Sequence, residues 1–175
     1  MFTPFFRLLL VLVNLVLVIF FFLREDFLSM FLILISTGLF VYGYFRYGTV
    51  YLAFQQLKKE NYDKSEKLIS KIKNPSMLSA NQKSYYHFAQ GIIASNKRDW
   101  DKSASDLNKA LTIGLRTEND ISIALLNLAN VEFERKNFEK AIELIKKIKK
   151  FDLNSLVRSE LDKLEHKINK EEQKV

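Results

Sequence analysis

The chain has 175 residues, with 27 Lys and Arg against 20 Asp and Glu for a formal net charge of +7, no cysteine and only five glycines. This composition excludes a disulfide framework, a cysteine-based zinc cluster and a thiol nucleophile, and five scattered glycines form no phosphate-cradling loop. The averages hide a division: apart from Arg7, Arg24, Glu25 and Asp26, every Lys, Arg, Asp and Glu lies beyond residue 45.

The first two predicted elements fill that apolar portion. Phe5 to Leu23 reads FFRLLLVLVNLVLVIFFFL and Phe27 to Phe45 reads FLSMFLILISTGLFVYGYF. Each has the length and apolarity of a bilayer-spanning helix, which needs about 20 residues. A secretory leader is excluded because its apolar core is about 7 to 15 residues and ends at small side chains, whereas here large Phe residues stand. Only Arg24, Glu25 and Asp26 separate the runs, which makes a tight hairpin with both chain ends on one side. Arg46, Lys58 and Lys59 after the second run, against Arg24 in the turn, place both termini in the cytoplasm. Tyr42, Tyr44, Tyr47 and Tyr51 read as an aromatic belt. Asn14 reads as a hydrogen-bonding partner for the neighbouring helix, and the small residues Ser36, Thr37 and Gly38 as a packing patch for the first run or another copy, so homo-oligomerisation stays open. A long helix runs from the second span toward the next segment, with Gly43 and Gly48 the places for a bend.

Beyond residue 46 the chain repeats. NYDKSEKLISKIK from residue 61, DWDKSASDLNKAL from 99 and NFEKAIELIKKIK from 137 share an Asn or Asp, an aromatic, an acid, Lys, then Ser or Ala, followed by apolar residues at helical spacing. Tyr62, Trp100 and Phe138 are 38 residues apart. Such self-similarity signals units that bury their apolar faces on one another. The segment LANVEFERKNFEKA, Leu128 to Ala141, resembles the tetratricopeptide repeat: small Ala129 on helix A, Phe138 at the turn, and Ala141 where helix B packs closely. Gly91, Trp100, Ser103 and Ala110-Leu111 take the matching places in the second unit, and Ala53, Tyr62, Ser65 and Ile72 in the first. The resemblance, that of a bacterial membrane-anchored tetratricopeptide protein with two amino-terminal spans, covers about residues 46 to 150. Departures from the pattern include spacing above the family's usual 34 or so, Gln56, Ala94 and Glu132 in place of a helix A Tyr, and Glu60, Arg98 and Lys136 in place of the Gly before the turn. At repeat spacing, Trp100 reads as the packing aromatic of an A-to-B turn, not a ligand-stacking residue, with Asp99 and Asp101 in water where acids suit a helix start.

Punctuation agrees with helix pairs. Asn74-Pro75 stops the first helix B. Ser79-Ala80-Asn81-Gln82 reads as a capping box, Thr117 with Asp120 as a looser one, and Gly114 as a helix C-cap. After Phe151, Leu156, Leu161, Leu164 and Ile168 form one stripe of an amphipathic cap. The expected architecture is all-α: a transmembrane hairpin over 1–45 (spans 5–23 and 27–45), an α-solenoid of three tetratricopeptide-like hairpins over 46–150 (46–78, 79–116 and 117–150), and a capping helix and tail over 151–175.

No Gly-x-Ser-x-Gly elbow occurs, and the two histidines, His87 and His166, fall in different helices, so the sequence predicts no enzyme, no metal and no cofactor. The basic run IKKIKK reads as the wet face of an amphipathic helix, and no nucleic-acid motif accompanies it. The resemblance implies peptide binding on the face lined by the A helices: Tyr47, Val50, Tyr51 and Phe54, then Tyr85, Phe88, Ala89 and Ile92, then Ile123, Leu126, Asn127 and Asn130. On this reading Asn127 and Asn130 pair with a partner's backbone. The expected function is a scaffold or adaptor, anchored as a multi-pass protein of the bacterial inner membrane with its repeats in the cytoplasm, that assembles a complex with another membrane-associated protein. The alternative is a small structural subunit of a transporter or secretion channel acting through its hairpin.

Overall fold

The computed structural model describes residues 4–172, except the side chains of Pro4, Phe5, Arg7, Tyr44, Phe45, Tyr47 and Glu172, and among the described residues every regular element is helical. α1 (Pro4–Leu23) and α2 (Phe27–Tyr47) fold back on each other through Glu25, whose φ is 59°. Asp26 opens α2 by accepting from the Ser29 hydroxyl at 2.7 Å and the Ser29 amide at 3.1 Å, bonds that hold its carboxyl below the usual range. Midway along the pair, Asn14 Nδ2 donates to Ser36 Oγ at 3.3 Å, the interhelical bond its type suggests.

The membrane assignment is corrected by this region. Among the described residues no helix is long and apolar enough to cross a membrane. The transmembrane hairpin, and with it the multi-pass inner-membrane location with cytoplasmic termini, therefore does not stand on the structure. The hairpin does present many apolar side chains outward, among them Val16, Leu28 and Leu39. Such a surface marks a place of contact rather than a solvated face. Of the aromatic belt, Tyr42 and Tyr51 are exposed, while the side chains of Tyr44 and Tyr47 lie outside the described residues, as does that of Arg7.

α2 ends where the backbone turns left-handed at Gly48, φ 52°. A Cβ there would stand 3.1 Å from Leu78 Cδ2, so Gly48, not Gly43, makes the bend. The junction is fixed by the Thr49 hydroxyl, which donates to the Leu68 carbonyl, and by Ser79 N–H, which donates to the Arg46 carbonyl at 3.0 Å.

Three helix pairs follow: α3 (Val50–Leu57) with α4 (Tyr62–Ile69), α5 (Ala80–Asn96) with α6 (Trp100–Ile113), and α7 (Glu118–Glu134) with α8 (Phe138–Ile148). α4 stops at Ile69, earlier than Pro75 requires, and Pro75–Met77 forms a short 3-10 turn capped by Asn74. The pairs meet at small residues. Ala53, Gly91 and Ala129 on one helix of each pair and Ser65, Ser103 and Ala141 on the other recur at the 38-residue period and are all buried, and at Gly91 a Cβ would lie 2.7 Å from Leu107 Cγ and 3.1 Å from the Leu107 backbone nitrogen. Ser103 Oγ also donates to the Gly91 carbonyl at 2.8 Å, whereas the buried Ser65 Oγ has no partner.

Each pair is joined by the same turn. Glu60, Arg98 and Lys136 all have φ near 60°, a left-handed conformation that non-glycine residues rarely adopt. Around each, two crossed backbone bonds close the helix end: Asn61 N–H to Gln56 O and Glu60 N–H to Leu57 O, and the same pattern at Asp99 and Arg98, and at Asn137 and Lys136. This is the Schellman arrangement, in which hydrogen bonding overrides the preference for glycine. The residue before two of these turns reaches back to the preceding pair, Lys97 to Glu66 at 2.5 Å and Arg135 to Asp101 at 3.0 Å; both are surface pairs contributing at most about 1 kcal/mol each. Glu132, fully buried at the third turn, meets Lys140 Nζ at 2.6 Å and Asn137 Nδ2 at 2.8 Å. Burial alone pushes this carboxyl up, but the bonds from Lys140 and Asn137 and the charges of Lys140 and Arg135 outweigh it and hold the pKa below its ordinary value.

α9 (Ser155–Glu172), capped by Asn154, packs on α7 and α8 through Val157, Leu161, Leu164 and Ile168. Leu156 is 72% exposed and leaves the expected stripe; Val157, four residues before Leu161, takes its place.

Two predictions follow from the pairing surfaces. Ser65→Ala removes an unpartnered buried hydroxyl and should raise stability by up to about 1 kcal/mol, while Ser103→Ala breaks a buried bond and should lower it by about 1 kcal/mol; urea midpoints of the full chain report both. Glu132 has a depressed folded pKa, so its contribution is present above the ordinary carboxylate range and is lost as pH falls through the folded value. Glu132→Gln should therefore cost about 1–3 kcal/mol at neutral pH and flatten the acid limb of a stability-against-pH curve.

Candidate functional site: a cleft between the first and second helix pairs

The expected binding face divides when its residues are placed. Val50 and Ala89 are fully buried, Phe88 is 2% exposed and Leu126 6%, so these belong to the core. Ile92 and Ile123 are half-buried against the same core. Asn127 Nδ2 donates to the Ile123 carbonyl at 2.8 Å and Asn130 Nδ2 to the Leu126 carbonyl at 3.1 Å. Each amide thus spends one N–H on its own helix. Tyr47 lies outside the described side chains.

Ser65, Ser103, Ala129 and Ala141 are fully buried and Gly91 is pressed on Leu107. Tyr62, Trp100 and Phe138 each begin helix B of their pair; Trp100 packs half-buried on the main core while Asp99 and Asp101 stay exposed, and Phe138 stacks on Phe133 with centroids 5.6 Å apart. Trp100 is thus held by packing at its turn.

What remains of the expected face is compact. Tyr51 and Phe54 from α3, Asn81, Gln82 and Tyr85 from α5, and Arg116 from the loop before α7 enclose a cleft of about 320 Å³ over Val50. That volume is near the lower end for ligand pockets. Phe54 stands edge-on to Tyr85, centroids 5.1 Å apart, and is backed by Phe88 at 5.8 Å. Lys58 Nζ lies over the Phe54 ring, 4.8 Å from its centroid. Tyr85 is fixed by its hydroxyl, which donates to Asp120 Oδ2 at 2.5 Å; the Asp120 backbone N–H in turn donates to Thr117 Oγ1 at 3.1 Å. Burial, with Asp120's bond and charge, pushes the Tyr85 phenol up to about 12.

Two residues here escaped sequence reasoning. The sequence pattern makes Gln82 the closing residue of a capping box, and Ser79 Oγ does accept from Gln82 N–H at 3.3 Å. The return bond is not made, because Ser79 N–H goes to Arg46 O instead. Gln82 is left 8% exposed, lining the cleft, with Oε1 unpartnered. Arg116 carried no signal at all; it reaches the cleft only because the loop after Gly114 (φ 101°) returns beside α5.

His87 Nδ1 meets Asp106 Oδ1 at 2.8 Å with Lys109 3.9 Å from the same oxygen, a polar bridge between α5 and α6. Among the described residues no cluster of His, Cys, Asp and Glu could hold a metal.

The Tyr85 hydroxyl gives a test of how the cleft is built. Its raised pKa means that stability is fully present below about 10, the unfolded value, and falls as pH rises toward about 12. Tyr85→Phe should remove that alkaline loss while costing about 1–3 kcal/mol at neutral pH, as Asp120 loses its donor; denaturation curves across the alkaline range measure both. No family model, curated protein or solved structure matches the chain.

Proposed function

We propose that the three helix pairs form a tetratricopeptide-like solenoid that acts as an adaptor, holding a segment of another protein in the cleft between α3 and α5. The observation that carries this reading is the cleft itself. Tyr51 stands 48% exposed at its edge, Phe54 is held edge-on to Tyr85, and Tyr85 is fixed by Asp120, so an aromatic surface is presented in a defined geometry. Aromatic side chains bring large contact area at low entropy cost and are the usual anchors of protein contacts. The repeated turns at Glu60, Arg98 and Lys136 support the solenoid part of the reading, since identical units stack through identical surfaces.

A photoreactive amino acid at position 51 of the full chain, expressed in its own cells, tests the adaptor reading. Crosslinking should recover one recurring protein, and the same probe at exposed Lys146 on α8 should not. Replacing Phe54 by Ala in the position-51 background should abolish the adduct. Recovery of nothing, or of the same proteins from both positions, would rule the adaptor reading out.

A further inference from the structure

We propose that the cleft takes an extended acidic segment of its partner, with a bulky apolar side chain on Tyr51 and Phe54, a neighbouring carboxylate on Arg116, and a backbone N–H donating to Gln82 Oε1. The inference rests on the adaptor reading and gives the partner segment its chemistry.

Three features of the cleft select that chemistry. The floor is apolar and aromatic, so it favours one large side chain, and about 320 Å³ admits a side chain with its adjoining backbone rather than a folded domain. Gln82 is more than nine-tenths buried, and its Oε1, lacking any partner, calls for a donor. An extended backbone carries an N–H at each residue, which a compact apolar ligand does not. The charge is one-sided. Arg116 is an exposed guanidinium on the rim, and Lys58 Nζ lies 4.8 Å from the centre of the Phe54 ring. The acid beside the cleft, Asp120, is 6% exposed and already accepts the Tyr85 hydroxyl. Tyr85 stays a neutral phenol through the physiological range, so it adds no negative charge. A guanidinium binds a carboxylate through two parallel bonds, which orients the segment as well as attracting it.

The experiment uses the full chain in a mild non-ionic detergent and a fluorescein-labelled peptide, Gly-Ser-Glu-Leu-Glu-Phe-Glu-Ser-Gly, acetylated and amidated so that no terminal carboxylate takes part. Fluorescence anisotropy should show saturable binding that weakens as salt is raised. Arg116→Glu should weaken it at least about tenfold, and Gln82→Leu severalfold without loss of thermal stability, since the orphaned oxygen is removed. A peptide with Gln for each Glu should lose affinity to the same degree as Arg116→Glu. No saturable binding, indifference to Arg116→Glu, or equal binding of a peptide with Lys for each Glu overturns the proposal. The outcome is separable from the adaptor reading: a position-51 adduct on a partner segment lacking acids sinks the acidic preference and leaves the adaptor intact.

Discussion

The structure depends on the contact between α5 and α6 at Gly91. Leu107 lies over the bare α-carbon and the Ser103 hydroxyl reaches the Gly91 carbonyl, so the two helices approach more closely than any Cβ at 91 would allow. Close approach there fixes the central pair, and the other two pairs build on its sides. Toward the amino terminus, Ala89 and Ile93 of α5 pack with Ala53 and Ile69; toward the carboxy terminus, Leu107 and Ala110 join the core of α7, α8 and α9. The cleft lies along the first of these contacts, where α3 meets α5 through Phe54 against Tyr85 and Phe88.

The turns show how hydrogen bonding and conformational preference compete. Glu60, Arg98 and Lys136 each sit in a left-handed conformation that costs a side-chain-bearing residue roughly 1–2 kcal/mol. Two backbone bonds at each turn, together with the packing of the aromatic that follows, hold them there. The third turn adds a buried ion cluster at Glu132 in which every carboxylate oxygen finds a donor; a buried carboxylate without such donors would destabilise by several kcal/mol. The sequence departures at Gln56, Ala94 and Glu132 thus mark three local solutions to one turn: a Gln56–Asn61 side-chain bond, a bare alanine, and the Glu132 cluster.

The cleft concentrates the polar consequences of the α2–α3 bend. Gly48 turns the chain so that the Arg46 carbonyl captures Ser79 N–H, and that capture leaves Gln82 facing the cleft rather than closing a capping box. A bend at one end of α2 therefore sets the chemistry at the start of α5. The apolar hairpin and the helix pairs are coupled through this junction, with Thr49 bonded to Leu68 as a second tie.

The sequence by itself determined what repeats locally. A 38-residue period, an aromatic after an Asn or Asp, and small residues at fixed offsets specify helix pairs and their closest contacts, because helical periodicity and side-chain size are properties of adjacent residues. The helix start at Ser79 and the stop at Gly114 were legible for the same reason. Only the tertiary structure decided which faces are covered. Phe88 and Leu126 are core although their spacing suits an open face, Val157 displaces Leu156 from the α9 stripe, Asn127 and Asn130 turn to their own helix, and Gln82 and Arg116 converge on one cleft. Each of these depends on where a distant segment lies, and that position is set by the sum of many weak contacts rather than by any pattern along the chain.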